Sequence, residues 1–224
     1  MNLWYVLLIL PGLLAWWAQA KVRHVHEEYG GRQNAQGITG LEVTRRLLAH
    51  HDLTDVKIDR TEGHFTDHFD PKADTIHLTD GVANTKSITA MGIAAHEVAH
   101  AVQDAEGYHL SRLRAFLGRW VERGAQVSSL AFVGGMLFRI PVLQVLAGAL
   151  LALFALFALV TLPVELHASR TAIQALETSG LANTEDRQGV KRVLRSAALT
   201  YVTGLGRQMS SFLFFVAVVG AARG

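Results

Sequence analysis

The sequence contains no cysteine, which excludes disulfides, thiolate metal ligands and a cysteine nucleophile but leaves the redox compartment open. Charge is scarce too. Asp, Glu, Lys and Arg make up 18% of the 224 residues against 50% hydrophobic, too apolar a balance for an ordinary soluble domain, so part of the chain is expected in lipid. The formal net charge is only +2 although the sequence pI is about 9.1. Arg and Lys cluster beside apolar segments instead of forming a stripe interleaved with aromatics, which predicts membrane-surface charge and no nucleic-acid partner. Low-complexity segments and internal repeats are missing as well.

Against these absences stands His96-Glu97-Val98-Ala99-His100. Residues four apart share one face of a helix, so imidazoles at 96 and 100 can bind one metal ion from a single rigid element. Glu97, one residue after the first histidine, can reach a water at that ion without ligating it, the general-base position of H-E-x-x-H metallopeptidases. The flanks agree: Ile88 and Ile93 lie among alanines and Gly107 supplies a stop, which predicts a helix over 88–105. The competing reading has the two histidines satisfied by hydrogen bonds or solvent. It explains less, because an unpaired Glu97 carboxylate would be costly to bury in so apolar a helix.

Residues 1–20 read as a first transmembrane helix, uncharged from 3 to 20 and flanked by Trp4, Tyr5, Trp16 and Trp17. A signal peptide is the alternative, since Ala18-Gln19-Ala20 resembles a cleavage site, but the basic n-region is missing and Lys21 and Arg23 follow the apolar run. Residues 21–126 are polar and mixed and form the expected catalytic region. Within it Thr39-Gly40-Leu41-Glu42 starts a helix carrying Val43, Leu47 and Leu48, and Val56-Lys57-Ile58 and Thr75-Ile76-His77-Leu78 alternate as short strands. The second strand, just before the histidine helix, is either an ordinary structural strand or an edge offered to extended substrate backbone.

Residues 127–164 read as a transmembrane hairpin turning at Arg139-Ile140-Pro141; its first arm is short unless it continues the amphipathic segment 111–126 as one long helix. Residues 165–196 are expected as a cytoplasmic helix, and 197–224 as a last transmembrane helix marred by Arg207 and Gln208. Arg112, Arg114, Arg119 and Arg123 precede the hairpin, while Arg170, Arg187, Lys191, Arg192 and Arg195 follow it. By the positive-inside rule that side is cytoplasmic, although Arg139 and Arg223 fall on the other.

A catalytic zinc takes three protein ligands and an open position, so a third must come from outside the histidine helix. A hairpin that goes out and back returns at Leu162-Pro163-Val164-Glu165-Leu166-His167, which makes Glu165 and His167 candidates. His64, His68 and Asp70 form a second cluster with metal-site spacing, though loop histidines beside aspartates are more often hydrogen-bonded structure.

Three strings, Gly63-His64-Phe65-Thr66-Asp67-His68-Phe69-Asp70-Pro71, Ala94 to Gln103 and Leu162 to Arg170, resemble the YugP family of bacterial membrane zinc metallopeptidases, over about residues 29–205. That family is similar in outline to the HtpX and CAAX-prenyl proteases, where a glutamate on a later helix completes the site. The resemblance implies one zinc ion on His96, His100 and Glu165 with Glu97 as base, in a gluzincin-type endopeptidase acting on a peptide or membrane-protein substrate. Two positions depart from the pattern. Ala99 stands where glycine is expected, and Ser169 stands where HtpX-like proteases carry an aspartate that orients a zinc histidine; the serine can still make one hydrogen bond, a weaker support, or another residue such as Asp67 or Asp70 supplies it. His167, Arg170 and His64 are the candidates for an oxyanion donor.

The resulting expectation is a mainly α protein with a small β element: a multi-pass inner-membrane chain with about four transmembrane helices and a cytoplasmic zincin-like region. The alternative is a catalytically silent zinc-binding scaffold or chaperone-like protein. A metal transporter has less support, because the apolar spans hold no Asp, Glu or His before Glu165.

Overall fold

The Ser87 hydroxyl accepts a hydrogen bond from the Ala90 amide at 3.0 Å and so starts the helix Ile88–Ala105, whose bounds are those the sequence predicts. Gly107, at φ +69°, stops the chain after its last turn, in a left-handed conformation that costs glycine little. The computed structural model describes residues 3–63 and 66–221. In chain order its elements are α1 (Leu3–Gly30), α2 (Gly40–His50), β1 (Lys57–Thr61), β2 (His68–Asp70), β3 (Thr75–Thr79), α3 (Asp80–Ala83), α4 (Ile88–Ala105), α5 (His109–Leu137), α6 (Pro141–Thr178) and α7 (Thr184–Ala221). The fold is therefore mainly α with one small sheet, as expected.

The sheet has the order β1-β3-β2, with β1 parallel and β2 antiparallel to β3. This overturns residues 75–78 as a free substrate edge. β3 has a neighbour on each side, because residues 68–70, conspicuous for a histidine and an aspartate, are themselves a strand. Burial agrees, since Thr75, Ile76, Leu78 and Thr79 are all buried, as suits a central strand.

Contacts divide the chain into two units. One comprises residues 20–108 and 164–198. Its core joins Val43 and Leu47 of α2, Ile76 and Leu78 of β3, Met91 and Val98 of α4, Ala172 and Leu176 of α6 and Val190 of α7. Each such Leu, Ile or Met buried in full contributes about 1.5–3 kcal/mol. The Thr39 hydroxyl caps α2 by accepting from the Glu42 amide at 3.3 Å, and Val43, Leu47 and Leu48 turn inward as predicted. Residues 165–196 are divided between the end of α6 and the start of α7, joined through Gly180 at φ +69°.

The other unit comprises residues 1–19, 109–163 and 199–224. The chain turns between α5 and α6, with Arg139 at φ +52° and the Gln144 side-chain amide donating to the Gly135 carbonyl at 3.0 Å. The arm before the turn is the second half of α5, one continuous helix with the amphipathic segment before it. Apolar side chains such as Leu130 and Val142, each 75% exposed, stand outside a small core of Ala131, Ala147 and Phe215. Among the described residues α6 is the one helix long and apolar enough to cross a membrane. α5 and α7 join their apolar halves to the arginine-bearing segments, and α1 includes Pro11 and runs on past Lys21 and Arg23.

Gly40 supplies a stability test, because a Cβ added there would lie 2.4 Å from the Val82 carbonyl oxygen, a backbone atom. Gly40→Ala is expected to destabilise the chain by about 1–3 kcal/mol, read as a lower thermal midpoint. Gly204→Ala, whose new Cβ would meet nothing within 4 Å beyond the backbone of its own helix, should hold or raise it.

Candidate metal centre

α4 presents His96 and His100 one turn apart on one face, ring centroids 4.7 Å apart and planes at 82°. α6 brings Glu165 to them from 69 residues away: its Oε2 lies 3.1 Å from His96 Nε2 and 3.7 Å from His100 Nε2. One donor atom from each of the three lies within 4.8 Å of the others. The carboxylate is 3% exposed and the imidazoles 14% and 15%, so the cluster is shielded but not sealed.

The donor set fits a divalent metal ion. Two imidazole nitrogens and a carboxylate oxygen are donor types that zinc takes, and here they converge on one shielded space. Donors about 2.1 Å from a tetrahedral ion stand about 3.4 Å from one another. The separations of 3.1 and 3.7 Å straddle that distance.

Glu97 is buried beside this cluster, and its Oε2 accepts a hydrogen bond from the Phe69 amide of β2 at 3.1 Å. Burial pushes its carboxyl above the usual carboxylate range, against an opposite pull from His96 and His100. Because the Phe69 N–H is spent on Glu97, it points away from β3, and the outer side of β2 therefore faces the glutamate.

The other candidates go elsewhere. His68 stacks on His77 across the β2–β3 pair with ring centroids 4.7 Å apart, and its Nδ1 meets the Thr66 carbonyl at 2.8 Å. The Asp70 carboxylate accepts from the Lys72 amide at 2.8 Å, and Asp67 accepts from the Thr79 amide at 2.7 Å. These contacts correct the expectation that Asp67 or Asp70 orients a zinc histidine: both carboxylates secure turns beside the sheet. His64 lies outside the described residues. His167 stacks on Tyr108 at 4.5 Å, and Arg170 is exposed.

Sequence reasoning missed Gln103. It is 1% exposed, its Oε1 meets His100 Nδ1 at 3.0 Å, and its Nε2 meets the Val164 carbonyl at 3.0 Å and His167 Nδ1 at 2.9 Å. A signal was there: a glutamine three residues after the second histidine lies on the histidine face of a helix otherwise poor in polar residues.

Fold and cluster together define an α-helical protein with two histidines and a carboxylate able to hold a metal ion, and with one apolar helix of membrane-spanning length. Residues 4–220 match the model of the family described as "Putative neutral zinc metallopeptidase", and the chain belongs to that family. It is 36% identical over 215 residues to the "Putative membrane protease YugP" of Bacillus subtilis (strain 168), an alignment that covers 96% of each chain. No solved structure matches the chain.

The cluster predicts one zinc per chain in the purified protein, measured by elemental analysis. Glu165→Ala and His100→Ala should each weaken zinc binding by more than about 100-fold, the upper end of what losing a ligand's hydrogen-bond partner costs.

Proposed function

We propose that this chain is a membrane-bound zinc endopeptidase. The observation that carries the reading is the convergence of His96, His100 and Glu165 with Glu97 buried on the same helix beside them. The family match and the membrane-protease relative support zinc and peptide hydrolysis as the chemistry.

His96, His100 and Glu165 would hold the ion, leaving an open side for water and substrate. Zinc held there supplies Lewis acidity toward water and toward a peptide carbonyl. Glu97 is the proposed general base. Its Oε2 is engaged by the Phe69 amide, so Oε1 is the atom that takes the proton from the attacking water and passes it to the leaving amine. Burial raises its proton affinity, which suits a group that must accept a proton and give it up again. An extended substrate would pair with the outer side of β2, the edge strand that meets Glu97, and not with the central β3.

The proposed setting is the inner (cytoplasmic) membrane, crossed more than once, with the site on the cytoplasmic side. Support comes from the apolar length of α6 and from the basic residues 112–123 and 170–195 that bracket the hairpin. The substrate class is a peptide or membrane protein.

Glu97→Gln separates the base from the ligands. The variant is expected to keep its zinc and lose hydrolysis of an unfolded protein substrate by about 100- to 10,000-fold, followed by release of new amino termini in reconstituted vesicles. Cleavage at the wild-type rate by the zinc-loaded variant would refute the assignment.

A further inference from the structure

The Val164 carbonyl can only accept a hydrogen bond, so the atom of Gln103 that lies 3.0 Å from it must be the amide nitrogen, and the orientation of the side chain follows. The second amide hydrogen goes to His167 Nδ1 at 2.9 Å, which makes that ring nitrogen the acceptor. Oε1 is left facing His100 Nδ1 at 3.0 Å, and since an amide oxygen only accepts, Nδ1 must carry the proton. A neutral His100 with its proton on Nδ1 has its lone pair on Nε2, the atom that faces Glu165.

The other orientation fails at the Val164 contact, where the partner can only accept. A flipped amide would set oxygen against the Val164 carbonyl oxygen and a donor against His100 Nδ1. The opposite tautomer of His100 would then follow, with an N–H aimed into the cluster where a metal needs a lone pair. His96 has no comparable support, since its buried Nδ1 has no hydrogen-bond partner among the described residues.

We propose that Gln103 is a positioning residue for the metal: it fixes His100 as the Nδ1–H tautomer and ties that histidine to the segment of α6 that carries Glu165. The proposal rests on reading His96, His100 and Glu165 as a metal site. Gln103 bonds the carbonyl immediately before Glu165 and the side chain two residues after it, so one buried amide joins the second ligand to the backbone of the third.

The test is zinc affinity, by chelator competition with the full chain in detergent, together with the visible absorption of the cobalt(II) form. Gln103→Met keeps much of the side chain's length and loses the amide; it should bind zinc about 10- to 100-fold more weakly and change the cobalt(II) bands. Gln103→Glu keeps an oxygen opposite His100 Nδ1 and, as the carboxylic acid, a donor to the Val164 carbonyl, and should bind zinc more tightly than the methionine variant. A merely structural role would lower the thermal midpoint of the metal-free protein in both variants and leave the affinity for zinc unchanged. Wild-type affinity and cobalt(II) spectrum in Gln103→Met would overturn the proposal, and so would a glutamate variant that bound no better than methionine. Should the methionine variant not fold, a glutamate variant that lost zinc 10-fold or more would overturn it as well. A wild-type chain that bound no zinc would overturn the reading of the site itself, and absent proteolysis with tight, Gln103-dependent zinc binding would count against the endopeptidase reading alone.

Discussion

The approach of the Glu165 carboxylate to two imidazoles sets the terms for the rest of the structure. A carboxylate 3% exposed has left most of its water behind, and the penalty for that is several kcal/mol unless positive charge meets it. His96 and His100 meet it as ring N–H donors or as fellow ligands of a shared metal ion. In either case α4 and α6 are held in one register, because losing any one of the three groups leaves the others uncompensated. In the surrounding core α4 places Ala94, Ala95 and Ala99, and α6 adds Ala168, Ala172 and Ala175. Ala99, where the family resemblance leads one to expect glycine, is 1% exposed and part of that core.

The parts of the site written within one helix were legible from the sequence. Helical spacing puts His96 and His100 on one face, Ser87 and Gly107 mark where that helix begins and stops, and all of these signals are local. Glu165 needed more. Periodicity does not distinguish it from His167 two residues later. A hairpin over 127–164 implies that the segment after it returns toward the histidines, and the family resemblance selects the carboxylate, the residue 3.1 Å from His96.

What escaped the sequence depends on pairing between distant segments. Alternation in Thr75-Ile76-His77-Leu78 indicates a strand but carries no information about whether one or both of its edges are taken, and three residues of β2 are too short to show a period. His68 illustrates the cost. A histidine next to aspartates suggests a ligand, yet here it is half of a cross-strand stack with His77, and the neighbouring Asp67 secures the start of α3 through Thr79. The position of Gln103 on the histidine face was legible but its partner was not, since the carbonyl that orients it belongs to residue 164, and the sequence says nothing about main-chain acceptors 61 residues away.

The contact between Glu97 and the Phe69 amide connects these two halves. A buried glutamate needs a donor, and α4 has none to give, because the amides in its middle are committed to the helix. Here the donor is a strand N–H that is not used in the sheet, which an edge strand supplies. β2 is such a strand, so the same geometry that stabilises the base also determines which strand can lie next to it. On the proposed reaction this restricts how a substrate could pair. The outward N–H of Phe69 is already engaged, its carbonyl on the same side is the group left to accept from a substrate amide, and the attacking water approaches the oxygen of Glu97 that Phe69 does not hold. Base and substrate edge are thus joined through one backbone hydrogen bond, and a shift of β2 along β3 by one residue would remove both together.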